Sequence, residues 1–290
     1  MSKNEYGMRK QVPSVMSLAC LVFLRKRLYL LPILTAVFIL LSFFVSYGIS
    51  VSLGHTEPDF PYISHTAVEE PERCVFGQLI NLGALLLGMN ILVRYLYVKE
   101  VYIRERTIVV SNNWHRGNIA ALVFGVLSAF GLSMVANFQT GSQRVPHYIG
   151  AFLAFGLGMV YAWIQTTLSW KIQTLRRPGS QKLFWARVLN SIVMSILLSI
   201  FIASKSVYKY QQYKNMGTKW DKLRTVYLTS TISEWLLASS VLTYILTYTM
   251  EFMDIRLENP RVILRDRSRH SENAILGSTV LAVQTPTSRV

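Results

Sequence analysis

Six apolar stretches, each about as long as a bilayer is thick, constrain this 290-residue chain more than any other feature. They lie at residues 28–53, 74–98, 117–138, 147–171, 183–204 and 225–250. A helix of about 20 mostly apolar residues crosses the hydrocarbon core. With 51% hydrophobic and only 16% charged residues, the chain is too apolar for an ordinary soluble domain. We therefore predict an all-α, polytopic membrane protein with a six-helix transmembrane bundle.

The distribution of basic residues predicts the orientation of this bundle. Of the 30 Lys and Arg residues, 22 lie in the N-terminal segment, the second and fourth connections and the tail, which leaves 8 for the opposite side. Cytosolic loops carry an excess of Lys and Arg, so both termini are expected in the cytosol. Loop 205–224 is an exception, because it is strongly basic on the predicted lumenal side. The basic residues form short clusters rather than one patch, so no nucleic-acid partner is expected.

This topology divides the chain into three parts. Residues 1–27 form a cytosolic basic segment, 28–255 the six-span membrane domain with a lumenal loop at 54–73, and 256–290 a cytosolic, largely disordered tail. Residues 12–24 are apolar but too short to span. A signal peptide is the rival interpretation, but basic residues rather than a cleavage site follow, which favours an interfacial helix. Cys20 in this helix is either a palmitoylation site or an unmodified thiol.

Small residues recur every four positions in the third and fourth spans. The third span has Gly125, Ala129 and Ser133, and the fourth has Gly150, Ala154 and Gly158. Lipid gives helices no hydrophobic reason to associate, so close backbone approach at small residues supplies the contact. We predict a tight antiparallel pair; a pore lining is the alternative interpretation.

Glu234 is the only acidic residue well inside a predicted span. A carboxylate at that depth is costly and normally faces a partner in the bundle interior. We expect it to be a structural hub that hydrogen-bonds Asn81, Asn137, Gln139 or a serine stripe. A proton or ion site, or a contact with a lipid headgroup, remains the functional alternative.

His147 is expected close to Asn137 and Gln139 across a short loop. The three could act on a lipid headgroup as acid and oxyanion donors, but capping of the third and fourth spans is the favoured interpretation. The five histidines are scattered singly, without the spacing that zinc needs. The sequence contains no phosphate-binding loop and no catalytic triad, so neither a metal, a cofactor nor an enzymatic activity is expected.

The tail carries two candidate contact features. Arg261, Arg265, Arg267 and Arg269 follow the last span, where basic side chains attract anionic lipid headgroups. The C-terminal residues Ser288 and Val290 fit the hydroxyl–x–hydrophobic pattern that PDZ domains capture. Anionic lipids and a PDZ protein are therefore the expected partners.

Several short motifs together resemble the Frag1/DRAM/Sfk1 family. They are FPYISHTAVEEPERCVFG at 60–77, VANFQ at 135–139, His147, GAFLAFGLG at 150–158 and Glu234-Trp235. The resemblance covers residues 28–255 and is closest to the DRAM branch, with the TMEM150 branch second. The lumenal loop motif consists of Pro61, Tyr62, Ile63, Ser64 and Glu72. His65 stands where the family pattern has an aspartate, and Glu70 stands where it has a proline.

The resemblance implies a six-helix protein of lysosomal and endosomal membranes that promotes autophagy and, in some members, cell death. Other branches imply a plasma-membrane scaffold in phosphoinositide or lipid-asymmetry control, or a lipid-remodelling activity. The leading hypothesis is a non-enzymatic regulator that acts through lipid or protein contacts. A lipid-remodelling enzyme or channel centred on Glu234 is the alternative from another class.

Overall fold

The computed structural model describes residues 27–104, 112–176 and 181–257, which are mostly helical and contain no strand. The helices are α1 (Leu30–Ser52), α2 (Glu72–Arg104), α3 (Asn112–Asn137), α4 (Arg144–Ala151), α5 (Gly158–Arg176), α6 (Lys182–Tyr213), α7 (Arg224–Leu246) and α8 (Thr249–Phe252). A 3₁₀ turn at Ile63–Ala67 lies between α1 and α2, and a π-helical segment at Phe152–Leu157 joins α4 to α5. The described residues up to Arg256 belong to one compact unit.

Five of these helical segments are long and apolar enough to cross a membrane. They are Leu30–Ser52, Glu72–Arg104, Asn113–Asn137, Arg144–Gln173 and Lys182–Tyr213. The sixth expected span coincides with α7, whose 23 residues are about 35 Å long at 1.5 Å per residue. Its many hydroxyl side chains and its one carboxylate make α7 less apolar than the other five. The predicted all-α membrane architecture is confirmed, and the chain is an integral membrane protein.

Several helix boundaries differ from the predicted span boundaries. The fifth span does not end at residue 204, because α6 continues to Tyr213 and carries Lys205 and Lys209 on its final turns. Glu72 is not a loop residue but the first residue of α2, where a carboxylate is favoured by the helix dipole. The last span breaks after Leu246 and resumes as the short helix α8. Hydropathy alone misses these boundaries, since helices extend beyond the apolar run that crosses the bilayer.

Neighbouring spans pack in chain order at the start of the bundle, with α1 on α2 and α2 on α3, and α6 packs on α7. The third span also packs against α4, the π-helical segment and α5. The lumenal end is the end that carries loops 53–71 and 214–223, following the charge-based orientation, and the cytosolic end is the opposite one.

The third and fourth spans form the close pair expected from their small residues. A Cβ built on Gly131 would lie 2.6 Å from the carbonyl oxygen of Gly150 and 2.7 Å from the nitrogen of Ala154. The hydroxyl of Ser128 donates to the Ala154 carbonyl at 2.9 Å, and a Cβ on Gly158 would meet that same hydroxyl at 2.9 Å. The backbones therefore approach as closely as glycine allows.

The partner stripe on α3 differs from the predicted one. Gly131, which lies off the predicted stripe, makes the closest approach, whereas a Cβ on Gly125 would meet Ile91 of α2 at 2.8 Å. Ser133 also turns to α2, where its hydroxyl donates to Asn81 at 2.7 Å. Ala129 is buried in the main core. The four-residue repeat thus lines the α2 contact as much as the contact with the fourth span.

Several sequence-based expectations fall outside the described residues. These are the interfacial helix at 12–24 with Cys20, the tail arginines from Arg261 onward, and the C-terminal residues Ser288 and Val290.

Candidate functional site

The lumenal loop motif docks onto the last span through three hydrogen bonds. The Trp235 indole donates to the Pro61 carbonyl at 2.9 Å, and the Tyr62 hydroxyl donates to Ser230 at 2.8 Å. The backbone N–H of Ile63 donates to the Glu234 carboxylate at 2.8 Å. Tyr62 is fully buried by this docking. Two of the short motifs that carry the family resemblance, one in the loop and one in α7, are therefore parts of one contact.

Glu234 thus has a partner that sequence analysis did not name. The expected hydrogen bonds to Asn81, Asn137, Gln139 or a serine stripe do not form. The carboxylate instead accepts from the backbone N–H of Ile63 in the docked loop. A main-chain donor carries no side-chain signature, so polar residue patterns cannot predict it. The bond compensates part of the cost of burying a carboxylate that is 5% exposed.

The acidic first lumenal loop and the basic loop 205–224 pair with each other. The Lys219 ammonium lies 2.6 Å from the Glu57 carboxylate, and the Arg224 guanidinium contacts Asp59. The hydrogen bond from Arg224 lowers the pKa of Asp59. These ion pairs give a physical reason for the strongly basic loop on the lumenal side, since its charges are matched locally.

A second buried carboxylate lies at the base of the lumenal loop. Glu72 is fully buried, and its Oε1 lies 2.7 Å from Nδ1 of His55. Its Oε2 has no hydrogen-bond partner among the described residues. Near it, burial together with the charges of Lys205 and Lys209 lowers the pKa of His65 to about 4. His65 therefore stays neutral through most of the physiological pH range.

Asn81 and Asn137 form an inter-helix amide pair. Each side-chain NH₂ donates to the other's carbonyl at 3.1 Å, and Ser133 donates to Asn81 as well. This small cluster joins α2 to α3 and does not include Glu234. The side chain of Gln139 makes no hydrogen bond within the described part of the chain, although its carbonyl accepts from the Gln143 N–H at 2.8 Å.

His147 lies between the third and fourth spans. Its Nδ1 is 2.7 Å from the carbonyl oxygen of Phe138, one residue past the end of α3. This is the geometry of a helix cap, and His147 is 4% exposed. The expected grouping of His147 with Asn137 and Gln139 is therefore not formed as one polar centre.

A cavity of about 710 Å³ opens between the fourth span, α6 and the docked loop. Its walls are mainly apolar, with Phe152, Phe155 and Phe201 among the lining side chains. Its polar side chains are Ser64, His147, Tyr148, Lys205, Ser206, Lys209 and Glu234. The π-helical segment Phe152–Leu157 forms part of the wall, and such segments are frequent at functional sites. An amphipathic cavity of this size is suited to a small molecule or a lipid chain.

A buried ionic cluster at the cytosolic end is the main polar feature that sequence analysis missed. The guanidinium groups of Arg94 and Arg187 have no exposure, and both contact the Glu251 carboxylate, at 2.6 Å and 2.5 Å. Ser169 accepts from both arginines, and Thr247 accepts from Arg187 at 2.9 Å. The cluster joins α2, α5, α6 and α8, so it closes the bundle at this end.

Aromatic rings complete the surroundings of the two arginines. The Tyr248 ring centroid lies 5.1 Å from the Arg94 guanidinium carbon and 4.9 Å from that of Arg187, within cation–π range. Gln165 accepts from Arg94 at 3.0 Å. The sequence analysis identifies Glu234 but neither of these buried arginines. The available signal was that Arg94 and Arg187 both lie inside predicted apolar stretches.

The described residues contain no group of three or more His, Cys, Asp or Glu side chains that could hold a metal ion. Cys74 is an exposed free thiol.

Residues 27–255 match the family described as the Frag1/DRAM/Sfk1/Cwh43P N-terminal domain. The chain is 35% identical over 233 residues to DNA damage-regulated autophagy modulator protein 2 of Rattus norvegicus, which covers 78% of this chain and 84% of the relative. It is 30% identical to DNA damage-regulated autophagy modulator protein 1 of Homo sapiens, over 82% of this chain and 95% of that one.

A shorter match reaches Modulator of macroautophagy TMEM150B of Bos taurus. It is 36% identical over 144 residues, or 50% of this chain and 56% of the relative. No solved structure matches the chain.

Proposed function

The chain belongs to the Frag1/DRAM/Sfk1 family, and on that basis we propose that it is a multi-pass membrane regulator of autophagy and lysosomal function. It acts through lipid or protein contacts and not as an enzyme, in lysosomal or endosomal membranes. The observation that carries the proposal is its similarity to proteins named autophagy modulators over most of their length.

The geometry of the lumenal end supports this assignment. The loop motif at 61–64 and the Glu234-Trp235 pair form one docked surface, held by the Trp235 and Ile63 hydrogen bonds. Because its backbone is held against α7, the loop has a fixed shape before any partner arrives. Such preorganisation suits a loop to recognition. The autophagy role therefore depends on the loop staying docked.

The test is endogenous tagging combined with knockout. We expect the tagged protein to coincide with lysosomal or endosomal markers, and autophagic flux to fall on knockout and recover on re-expression. Trp235→Ala, which removes the hydrogen bond to Pro61 and the aromatic packing, should restore flux poorly at equal expression. The matched control is Trp185→Ala, since Trp185 is 59% exposed and lies on α6, away from the loop. A protein that never meets these markers, with flux unchanged on knockout, contradicts the proposal.

A lipid-acting enzyme or channel is the second candidate, because Glu234 and His147 line the same cavity. A general acid or base needs a titratable group facing its substrate. Glu234→Gln keeps an acceptor for the Ile63 N–H but cannot transfer a proton. Loss of lipid conversion or ion flux with expression intact favours this candidate, and unchanged function in the variant excludes a proton-transfer role for Glu234.

A third possibility concerns the plasma membrane, where a scaffold would use the tail arginines and the C-terminal residues Ser288 and Val290 for lipid and PDZ contacts. Deleting residues 286–290 and replacing the tail arginines should then shift localisation. An unchanged distribution counts against this role.

A further inference from the structure

We propose that the cavity between the fourth span, α6 and the docked loop binds one acyl chain of an anionic glycerophospholipid, with its phosphate against Lys205 and Lys209. Because we have proposed that the protein acts through lipid or protein contacts, this lipid is a contact on which that function rests. The ligand enters from the lumenal leaflet.

The apolar part of the cavity has a side opening to the bilayer. Three residues at its rim, Tyr148, Phe152 and Ile202, line the cavity and are also 43%, 66% and 55% exposed on the bundle surface. Such a rim lets a chain pass from the membrane into the protein without crossing water. At about 710 Å³ the cavity falls in the range of small-ligand sites, roughly 300 to 1,000 Å³, so it holds one chain while the second stays in the bilayer.

The polar end of the cavity has a surplus of positive charge. Lys205 and Lys209 line the cavity together with one carboxylate, that of Glu234, which already accepts from the Ile63 N–H. Neither lysine lies within ion-pair distance of a carboxylate in the described part of the chain. The surplus of one charge matches the single negative charge of a phosphodiester. A zwitterionic lipid has the same phosphodiester but adds a cation of its own, so its net charge of zero would leave that surplus unbalanced.

Aromatic rings hold one of the two lysines in place. The Lys205 ammonium lies 4.4 Å from the Tyr62 ring centroid and 4.8 Å from that of Phe201. Rings attract a cation without neutralising it. The ammonium is therefore fixed at the junction between the apolar cavity and its polar end, where the phosphate of a lumenal-leaflet lipid would lie.

An unpartnered hydroxyl provides an independent indication of a ligand. Ser64 is 8% exposed, lines the cavity, and its Oγ has no hydrogen-bond partner among the described residues. A buried hydroxyl without a partner costs free energy. A phosphate oxygen at the same end of the cavity would accept from it, which satisfies the hydroxyl and adds a third contact to the two ammonium groups.

The experiment is a lipid titration of the full-length protein in neutral detergent, read by native mass spectrometry. The probes are phosphatidylglycerol and phosphatidylcholine with identical chains, and glycerophosphoglycerol, the same headgroup without chains. We expect phosphatidylglycerol to bind at least about fivefold more tightly than phosphatidylcholine. Glycerophosphoglycerol should not bind at concentrations that saturate the lipid site.

Two substitutions separate the polar end from the apolar part. Lys205→Gln should weaken phosphatidylglycerol about fivefold and phosphatidylcholine less, because the choline cation offsets part of the attraction between its phosphate and the lysine. Val160→Phe, which fills the apolar part, should weaken both lipids. Lys214→Gln is the matched control, since this exposed lysine of the lumenal end does not line the cavity. Lys209→Gln provides the same comparison should Lys205→Gln fail to elute as a folded protein.

Equal binding of the two lipids, or Lys205→Gln and Lys209→Gln variants that bind like the wild type, would overturn the proposal. Tight binding of glycerophosphoglycerol would overturn it too, in favour of a site for a soluble anion. The titration uses purified protein, so its outcome is independent of autophagic flux. Selective lipid binding combined with unchanged flux on knockout refutes the autophagy role alone.

Discussion

At the scale of single residues, the two buried arginines are the side chains whose environment departs most from expectation. Arg94 and Arg187 share one carboxylate, Glu251, so the cluster buries one more positive than negative charge. The desolvation cost of burying an ion pair cancels much of the free energy gained from its Coulombic attraction. The hydroxyl, amide and aromatic partners around the guanidinium groups supply the remaining compensation. Removing the Glu251 carboxylate should therefore destabilise this cluster more than removing any other of its members.

We expect Glu251→Gln to lower the free energy of unfolding by about 3 to 5 kcal/mol, because two buried guanidinium groups lose the carboxylate that both contact. The measurement is denaturation of the detergent-solubilised protein followed by intrinsic fluorescence. Glu100→Gln is the control: its ion pair with Arg104 is exposed and is worth about 1 kcal/mol or less. Equal losses in the two variants would show that the buried cluster contributes no more than a surface pair.

His65 makes stability depend on pH. Its pKa is lowered from 6.5 to about 4, first by burial and then by Lys205 and Lys209. As the pH falls below about 6.5, the imidazole of His65 becomes protonated in the unfolded chain but stays neutral in the folded one. The free energy of unfolding therefore falls until about pH 4. His65→Gln should flatten this fall in melting temperature between pH 6.5 and 4. Parallel curves for the two proteins would contradict the assignment.

At the scale of elements, the contact between the third and fourth spans depends on glycine backbones. A Cβ on Gly131 would lie within 2.7 Å of backbone atoms of Gly150 and Ala154, which cannot rotate away. One helix must then shift relative to the other. Close packing of this kind supplies the association free energy that lipid does not.

Gly131→Ala should therefore destabilise the protein by about 1 to 3 kcal/mol, the usual cost of overpacking. Gly88→Ala is the matched control, because a Cβ on Gly88 of α2 would meet nothing within 4 Å. Alanine favours helix over glycine by up to about 1 kcal/mol, so the control should be neutral or slightly stabilised. Thermal denaturation of both variants gives the comparison. A Gly131→Ala variant as stable as the control would mean that the helices can separate at no cost.

The elements show how far the sequence predicts this fold. Apolar length predicted the membrane helices, and the small residues at Gly150, Ala154 and Gly158 predicted a close contact of the fourth span. Neither pattern predicted the partner of Glu234, because a backbone N–H far away in the chain has no side-chain signature. Arg94 and Glu251 are 157 positions apart, and local hydropathy gives no indication that they meet. Pairing between distant spans requires the tertiary fold.

At the scale of the whole molecule, the two ends of the bundle are joined by ion pairs of different kinds. The cytosolic end is joined by buried groups around Glu251, and the lumenal end by exposed and half-exposed ion pairs, Lys219 with Glu57 and Arg224 with Asp59. Exposed pairs are individually weak, so the lumenal end depends more on the docked loop. The predicted orientation assigns these two ends to opposite sides of the membrane.

That orientation predicts where the exposed thiol of Cys74 reacts. In a Cys20→Ser variant, Cys74 is the one remaining cysteine. A membrane-impermeant maleimide should label it only after the organelle membrane itself is permeabilised. Lys99→Cys, placed in a cysteine-free background on an exposed site at the other end of α2, should be labelled from the cytosol. Labelling of Cys74 from the cytosol would reverse the topology.

The pairing of the two lumenal loops also orders the biogenesis of the protein. Glu57 and Lys219 are 162 positions apart, and Asp59 and Arg224 are 165. At 5 to 20 residues per second, the ribosome needs on the order of ten seconds or more to make the basic partner after the acidic loop has emerged. During that interval the carboxylates face the lumen unmatched, and the loop lacks α7 to dock on. The first hairpin is therefore completed only when the last one inserts, so a chain truncated before residue 219 exposes an unfinished lumenal face to quality control.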